Sequence, residues 1–264
     1  YDDFAAYLNA QGYLVVGQDH MGHGGSVGVD GVKGYFHGGW FTAVEDVYTL
    51  LLMTQKKYPG IPYILFGHSM GSFMVRTIIA KYPQCPLACC VICGTGWQPQ
   101  AALTAGIRLA NLICRINDAK KPSKLLIAMA FGTYNRKIER PLTPFDWVSR
   151  DSKVVNAFMS DPLGGFMVTA GLMRDLFTGI AYIQQESSLA NMDKQLPVYL
   201  VAGGDDPVGA YGEGVRKTAD AFKQAGMEQI SLRIFPMCRH EILNEINRKE
   251  VWQNIADWIG KFIK

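Results

Sequence analysis

The sequence is sparing with charge. Asp, Glu, Lys and Arg make up 19% of its 264 residues, and the formal net charge is only +3. No dense Lys/Arg run is present, so the electrostatic footprint of a nucleic-acid binder is missing. No apolar run reaches the roughly 18 residues that a membrane-spanning helix needs. Residues 107–114 are mostly apolar, but the stretch is short, broken by Arg108 and followed by Arg115.

Cysteine is scarce, at six residues: Cys85, Cys89, Cys90, Cys93, Cys114 and Cys238. Cys90-Val91-Ile92-Cys93 has the C-x-x-C form, but no second pair lies at zinc spacing. It sits in the apolar run 87–93, where thiols pack as small hydrophobes. Cysteines in strands fit a reducing, cytoplasmic compartment. The glycine-rich stretch Asp19-His20-Met21-Gly22-His23-Gly24-Gly25-Ser26 lacks both a Lys-Ser/Thr pair and G-x-G-x-x-G spacing, so it is no phosphate loop. Asp19, His20 and His23 carry metal-ligating groups. They read instead as polar loop residues that hold a tight turn through side-chain-to-backbone bonds.

The rest is ordinary globular composition, 48% hydrophobic. The length suits one large α/β domain with an insertion, or two small domains. The organising stretch is Gly67-His68-Ser69-Met70-Gly71. Before it, Tyr63-Ile64-Leu65-Phe66 is rich in strand formers; after it, residues 72–82 read as a buried helix ended by Pro83. A serine between strand and helix, with glycine two residues to either side, is the context of a nucleophile elbow. The turn strains the serine backbone, and Gly67 and Gly71 are expected to let neighbouring backbone pass without a Cβ clash. Met70 N–H opens the helix and can face an oxyanion.

Periodicity predicts a helix over residues 1–10, a buried strand at Tyr13-Leu14-Val15-Val16-Gly17, and a helix carrying Phe41, Val44, Val47, Tyr48, Leu51 and Leu52. Further strands are predicted at 87–93, 197–202 and 231–235, and a helix at 215–225. The last helix buries Val251, Trp252, Ile255, Trp258, Ile259 and Phe262, with Asn247 and Glu250 at capping-box spacing. Residues 98–194 break this alternation. They show helical patches at 103–116, 124–131 and 166–183, and they read as an insertion above the sheet edge. Leu125, Leu126, Ile127, Met129, Phe131, Met159, Phe166, Met167, Met173, Leu176 and Phe177 either pack this insertion onto the core or, for some of them, line an acyl pocket over Ser69. Strand–loop–helix alternation implies a mainly parallel sheet with helices on both faces, and ligands bind at the C-terminal edge of such sheets.

A serine needs a base, and the base a carboxylate. Of the five histidines, His20, His23 and His37 precede the elbow. His68 adjoins the serine but lies on the wrong side of the elbow to reach Oγ. His240 alone comes late, after a strand. The acid should lie in the loop after strand 197–202, where Asp206 is favoured over Asp205. The order Ser69, Asp206, His240 is that of α/β-hydrolases.

Asp19-His20-Met21-Gly22-His23-Gly24, the elbow, Gly203-Gly204-Asp205-Asp206-Pro207-Val208 and Arg239-His240-Glu241-Ile242-Leu243-Asn244-Glu245 resemble the monoacylglycerol lipase and lysophospholipase group of α/β-hydrolases, the serine aminopeptidase S33-like set. Phe145-Asp146-Trp147-Val148-Ser149-Arg150-Asp151 and Asp161-Pro162-Leu163 resemble that group's cap. The resemblance covers essentially the whole chain. It implies an α/β-hydrolase core at 1–97 and 195–264 with a cap or lid insertion at 98–194. It further implies hydrolysis of esters of lipophilic acyl chains by Ser69, Asp206 and His240, with no cofactor and no metal. Such a cap leaves room for transient contact with a membrane surface; the oligomeric state is not fixed by the sequence. A peptidase or acyltransferase on the same triad, or a non-catalytic lipid-binding module, are the alternatives.

One departure stands out. The group's His-Gly loop, source of the second oxyanion N–H, and its first strands are missing from a sequence that opens at Tyr1 without a signal peptide. The strand before that loop belongs between residues 13–17 and the elbow strand. A gap there leaves buried N–H and C=O groups unpaired at about 1–3 kcal/mol each, against a net stability of about 5–15 kcal/mol. The expectation is therefore a fragment of a longer polypeptide. By itself it should be poorly active, because one oxyanion donor is worth about 10²–10³ in rate.

Overall fold

The computed structural model describes residues 1–263. Four strands form one sheet: β1 (Ile64–His68), β2 (Cys89–Cys93), β3 (Val198–Gly203) and β4 (Ile230–Phe235). Their spatial order follows the chain and every neighbouring pair is parallel, with Ile64 opposite Cys89, Cys90 opposite Val198, and Val198 opposite Ile230. All residues of β2 and β3 are buried. This is why those segments read as unbroken apolar runs, as strands covered on both faces do.

Side chains alternate between two cores, as the period of a strand requires. Cys90, Ile92, Leu200 and Ala202 face α2 (Trp40–Lys57), α3 (Met70–Lys81) and α9 (Glu213–Gln224). Cys89, Val91, Cys93, Tyr199 and Val201 face the opposite way, towards Phe4 of α1 (Asp2–Asn9) and Val251, Trp252, Ile255 and Trp258 of α10 (Arg248–Ile259). Helices thus cover both faces of the sheet. At the start of α10, Asn247 and Glu250 bond to each other through their side chains at 3.1 Å, and neither side chain caps a backbone N–H of the first turn. The capping box is therefore not formed.

Residues 13–17 are not a strand. Their backbone is irregular, and Leu14, Val15 and Val16 are 55%, 39% and 41% exposed. Strand propensity is realised only against a ladder partner that takes up the backbone N–H and C=O groups. Among the described residues none pairs with this segment. β1 is likewise paired on one side only, to β2.

Between β2 and β3 the described residues form five α-helices, α4 (Gln100–Asn117), α5 (Lys124–Phe131), α6 (Ser152–Ser160), α7 (Ala170–Ile183) and α8 (Glu186–Asn191), and a short 3₁₀ helix, Asp146–Val148. Their one β contact is an isolated bridge, Pro122 with Thr169. The helix predicted from residue 166 starts at Ala170, because Thr169 Oγ1 accepts the Leu172 N–H at 3.1 Å and caps it. α7 packs against α2, α3 and α4. It approaches α2 so closely that a Cβ at Gly179 would lie 2.2 Å from the Trp40 ring. Of the apolar residues named in this segment, Leu126 and Met173 are buried, whereas Leu125, Met129, Met159 and Met167 are exposed.

Candidate active site

The elbow is built as its sequence demands. Ser69 lies between β1 and α3 with φ 52° and ψ −120°, outside the regions that L-residues ordinarily occupy. Its N–H donates to Cys93 O at 3.0 Å, tying the turn to the end of β2. Gly67 is obligatory, since a Cβ there would sit 2.2 Å from Gly71 O and 2.6 Å from Val75 Cγ2. Gly71 differs from expectation: a Cβ at that position meets nothing within 4 Å among the described residues. The close approach at the elbow is made by the Gly71 carbonyl onto Gly67, so only one of the two glycines is required by space. Met70 is the first residue of α3, and its N–H is among those that a helix leaves without an intrahelical carbonyl.

Asp206 follows β3 and is fully buried. Its Oδ1 accepts the Val208 N–H at 2.9 Å, and its Oδ2 accepts His240 Nδ1–H at 3.0 Å. Asp205, one residue away, points to solvent and anchors the loop only through its N–H to Cys238 O. Of the two acids, only Asp206 is bonded to His240 among the described residues. The loop that carries His240 presses on the end of β3, where a Cβ at Gly203 would meet Cys238 O at 2.1 Å and Arg239 O at 2.2 Å.

His240 is held from several sides. Its N–H donates to Trp147 O at 3.3 Å, its carbonyl accepts His68 Nε2–H at 3.1 Å, and its ring lies 5.3 Å from the Trp147 ring and 4.7 Å from the His68 ring. The next strut is Glu245, fully buried, which accepts N–H groups of Arg239 and Arg150 and pairs with Arg150 Nε at 2.9 Å. Arg239 Nη1 donates to the carbonyls of Asp146 and Ser149. The segment around Trp147 and the loop around His240 are therefore bonded into one unit.

Burial pulls the His240 imidazole towards its neutral form. The Asp206 carboxylate, by charge and hydrogen bond, and then Glu241 outweigh that and hold its pKa above the ordinary imidazole value. Ser69 Oγ is not hydrogen-bonded to His240 among the described residues, so the Asp206–His240 bond is the part of the constellation that is already made.

The loop 19–26 behaves as a structural turn. Asp19 Oδ2 accepts the Gly25 N–H at 2.7 Å, and His23 Nδ1–H donates to Met21 O at 3.0 Å. Among the described residues no group of three or more His, Cys, Asp or Glu is arranged to hold a metal ion. Sequence reasoning assigns no role to His68, Trp147, Glu241 or Glu245. His68, on the wrong side of the elbow to reach Ser69 Oγ, reaches His240 instead. Two acids within five residues of His240 were the available signal for Glu241 and Glu245.

The family described as serine aminopeptidase, S33, matches residues 1–247. A monoacylglycerol lipase of Mycolicibacterium smegmatis is 29% identical over 264 residues, covering 98% of this chain and 82% of that protein. A monoglyceride lipase of Mus musculus is 27% identical over 258 residues, covering 94% of this chain and 76% of its own length. Among solved structures, a thermostable carboxyl esterase from Bacillus coagulans superposes with a TM-score of 0.92 at 29% identity, covering 100% of this chain and 86% of the esterase. With its parallel sheet, its helices on both faces and this match along most of its length, the chain belongs to the serine aminopeptidase S33 family and has the α/β-hydrolase fold.

Proposed function

We propose that this chain is a serine hydrolase that cleaves carboxylic esters of lipophilic acyl chains, of the monoacylglycerol or lysophospholipid type. The observation that carries the reading is the buried Asp206–His240 pair behind a strained serine elbow. The similarity to proteins named monoacylglycerol lipase and carboxyl esterase supports the substrate class.

In this reading Ser69 Oγ attacks the ester carbonyl carbon while its proton passes to His240 Nε2. Asp206 fixes the imidazole tautomer and stabilises the imidazolium. The carbonyl oxygen becomes an oxyanion facing Met70 N–H. Collapse expels the alcohol, which takes the proton from His240. Water then attacks the acyl-Ser69 ester, with His240 again as base, and the fatty acid leaves. Residues 98–194 serve as a cap over this edge of the sheet. Leu125 and Met129, four residues apart on one exposed face of α5, supply an apolar contact to the lipid surface from which substrate is drawn. No cofactor takes part.

A chain-length series of monoacylglycerols and lysophospholipids, run beside aminoacyl p-nitroanilides, tests the proposal. Turnover that peaks on a medium or long acyl ester supports it. Preferential release of amino acids would favour the peptidase reading that the family's description suggests.

A further inference from the structure

Next to the base sits a second, partly buried group that the hydrolytic scheme does not use. His68, the last residue of β1, has its side chain 5% exposed; Glu241, the residue after His240, has its side chain 18% exposed. His68 Nε2 lies 3.1 Å from His240 O. A carbonyl oxygen can only accept, so Nε2 carries a proton. His68 Nδ1 then faces Tyr1 Oη at 2.8 Å and Glu241 Oε1 at 3.4 Å, and the Tyr1 hydroxyl also lies 3.1 and 3.2 Å from the two Glu241 oxygens. Asn244 Nδ2 donates to Glu241 Oε2 at 3.0 Å. The triangle of Nδ1, phenol and carboxylate contains two acceptors and, with His68 neutral, a single proton.

We propose that His68 and Glu241 are a positioning pair for the catalytic base. His68 pins the His240 backbone through Nε2–H and its ring through packing, and Glu241 places a second negative charge beside the imidazolium that forms during acyl transfer. The inference rests on the serine-hydrolase reading above. The base therefore has two carboxylates near it. Asp206, from the loop after β3, is bonded to Nδ1; Glu241 acts on the imidazole by charge, without a bond to it. The other groups facing this cluster are Tyr1 at the start of α1, Cys93 at the end of β2, and Trp147 against the His240 ring. Burial drives the Cys93 thiol well above its ordinary range, so it adds no charge near neutrality. Burial likewise lowers the His68 pKa, which leaves Glu241 as the uncompensated charge at neutral pH. A Cβ at Gly94 would stand 3.0 Å from His68 Nε2 and 3.2 Å from His240 Cε1, so the backbone of the β2 end closes the cluster and keeps the two rings in contact.

The test is the pH–kcat/KM profile of the full chain on a soluble short-chain ester, for wild type, Glu241→Gln, His68→Ala and His68→Gln. Glu241→Gln keeps the shape and removes the charge, so the midpoint of the acid limb should fall by roughly one unit. His68→Ala should lower kcat about tenfold with KM little changed, as for a one-ångström misplacement or less. His68→Gln, whose amide N–H can reach the His240 carbonyl, should restore most of it. An acid limb for Glu241→Gln that coincides with wild type, or equal losses for His68→Ala and His68→Gln, would overturn the pair while leaving the triad standing. A wild-type chain with no Ser69-dependent esterase activity would instead remove the reading beneath it.

Discussion

His240 Nδ1 and Asp206 Oδ2 meet at 3.0 Å with both side chains almost wholly shielded from water, at 4% and 0% exposure. In the proposed mechanism, a charge-assisted bond in so dry a place fixes the tautomer and offers the imidazolium its counter-charge before substrate arrives. Asp206→Asn should lower kcat on any ester by about 10⁴. Asp205→Asn should stay within about twofold of wild type, because an exposed carboxylate outside such a pair contributes little. Steady-state kinetics of the two variants on one p-nitrophenyl ester separates the neighbouring acids, and comparable losses would return the assignment to an open choice.

Gly67 is the residue on which the elbow's geometry depends. A methyl group there meets the Gly71 carbonyl oxygen at 2.2 Å, which is backbone and cannot swing aside. Gly67→Ala should move Ser69 out of its strained conformation and abolish esterase activity, with a melting temperature several degrees lower. A Gly67→Ala enzyme as active as wild type would mean that the elbow tolerates a wider turn than its contacts allow.

Glu245 bears on stability as much as on catalysis. Both oxygens are engaged, by Arg239 N–H, Arg150 N–H, Arg150 Nε and Ile246 N–H. An amide in its place turns one acceptor into a donor that faces donors. Removing one partner of a buried pair costs about 3 kcal/mol at the low end, or roughly 6–12 °C in melting temperature for a chain of this size. Thermal unfolding of Glu245→Gln checks this. Its kcat should fall as well, because the same carboxylate anchors the residue before His240.

The exposed face of α5 predicts a substrate-dependent effect. Only Leu126 of that helix is buried, while Leu125 and Met129 are 54% and 53% exposed. Replacing both with Ser should leave hydrolysis of a soluble short-chain ester unchanged and slow hydrolysis of a long-chain monoacylglycerol presented in vesicles. Equal effects on the two substrates would assign this face to folding instead of lipid contact.

Much of this was legible in the sequence because local rules and tertiary demand agree. Gly67 to Gly71 spans a strand-to-helix junction in both, and β2 and β3 are buried on two faces and so read as unbroken apolar runs. Legibility failed where structure depends on a distant partner. Residues 13–17 have every local mark of a strand yet lie outside the sheet, since propensity does not supply a ladder neighbour. Gly71 looked like the twin of Gly67 because spacing alone cannot say whose carbonyl approaches whose Cα. Adjacency to the serine does not reveal the partners of His68, which are His240, 172 residues later, and Glu241. The link between the segment 146–150 and the His240 loop runs largely through main-chain carbonyls and N–H groups, which no residue type advertises.

The central claim is that Ser69 is the nucleophile, activated by His240. Incubation of the full chain with a fluorophosphonate, followed by intact-mass and peptide mass spectrometry, tests it most directly. The account predicts one adduct per chain, on Ser69. It also predicts that the adduct disappears, together with esterase turnover, in Ser69→Ala, and forms far more slowly in His240→Ala. Labelling that persists on another residue in Ser69→Ala, or ester hydrolysis undiminished by that substitution, would contradict it.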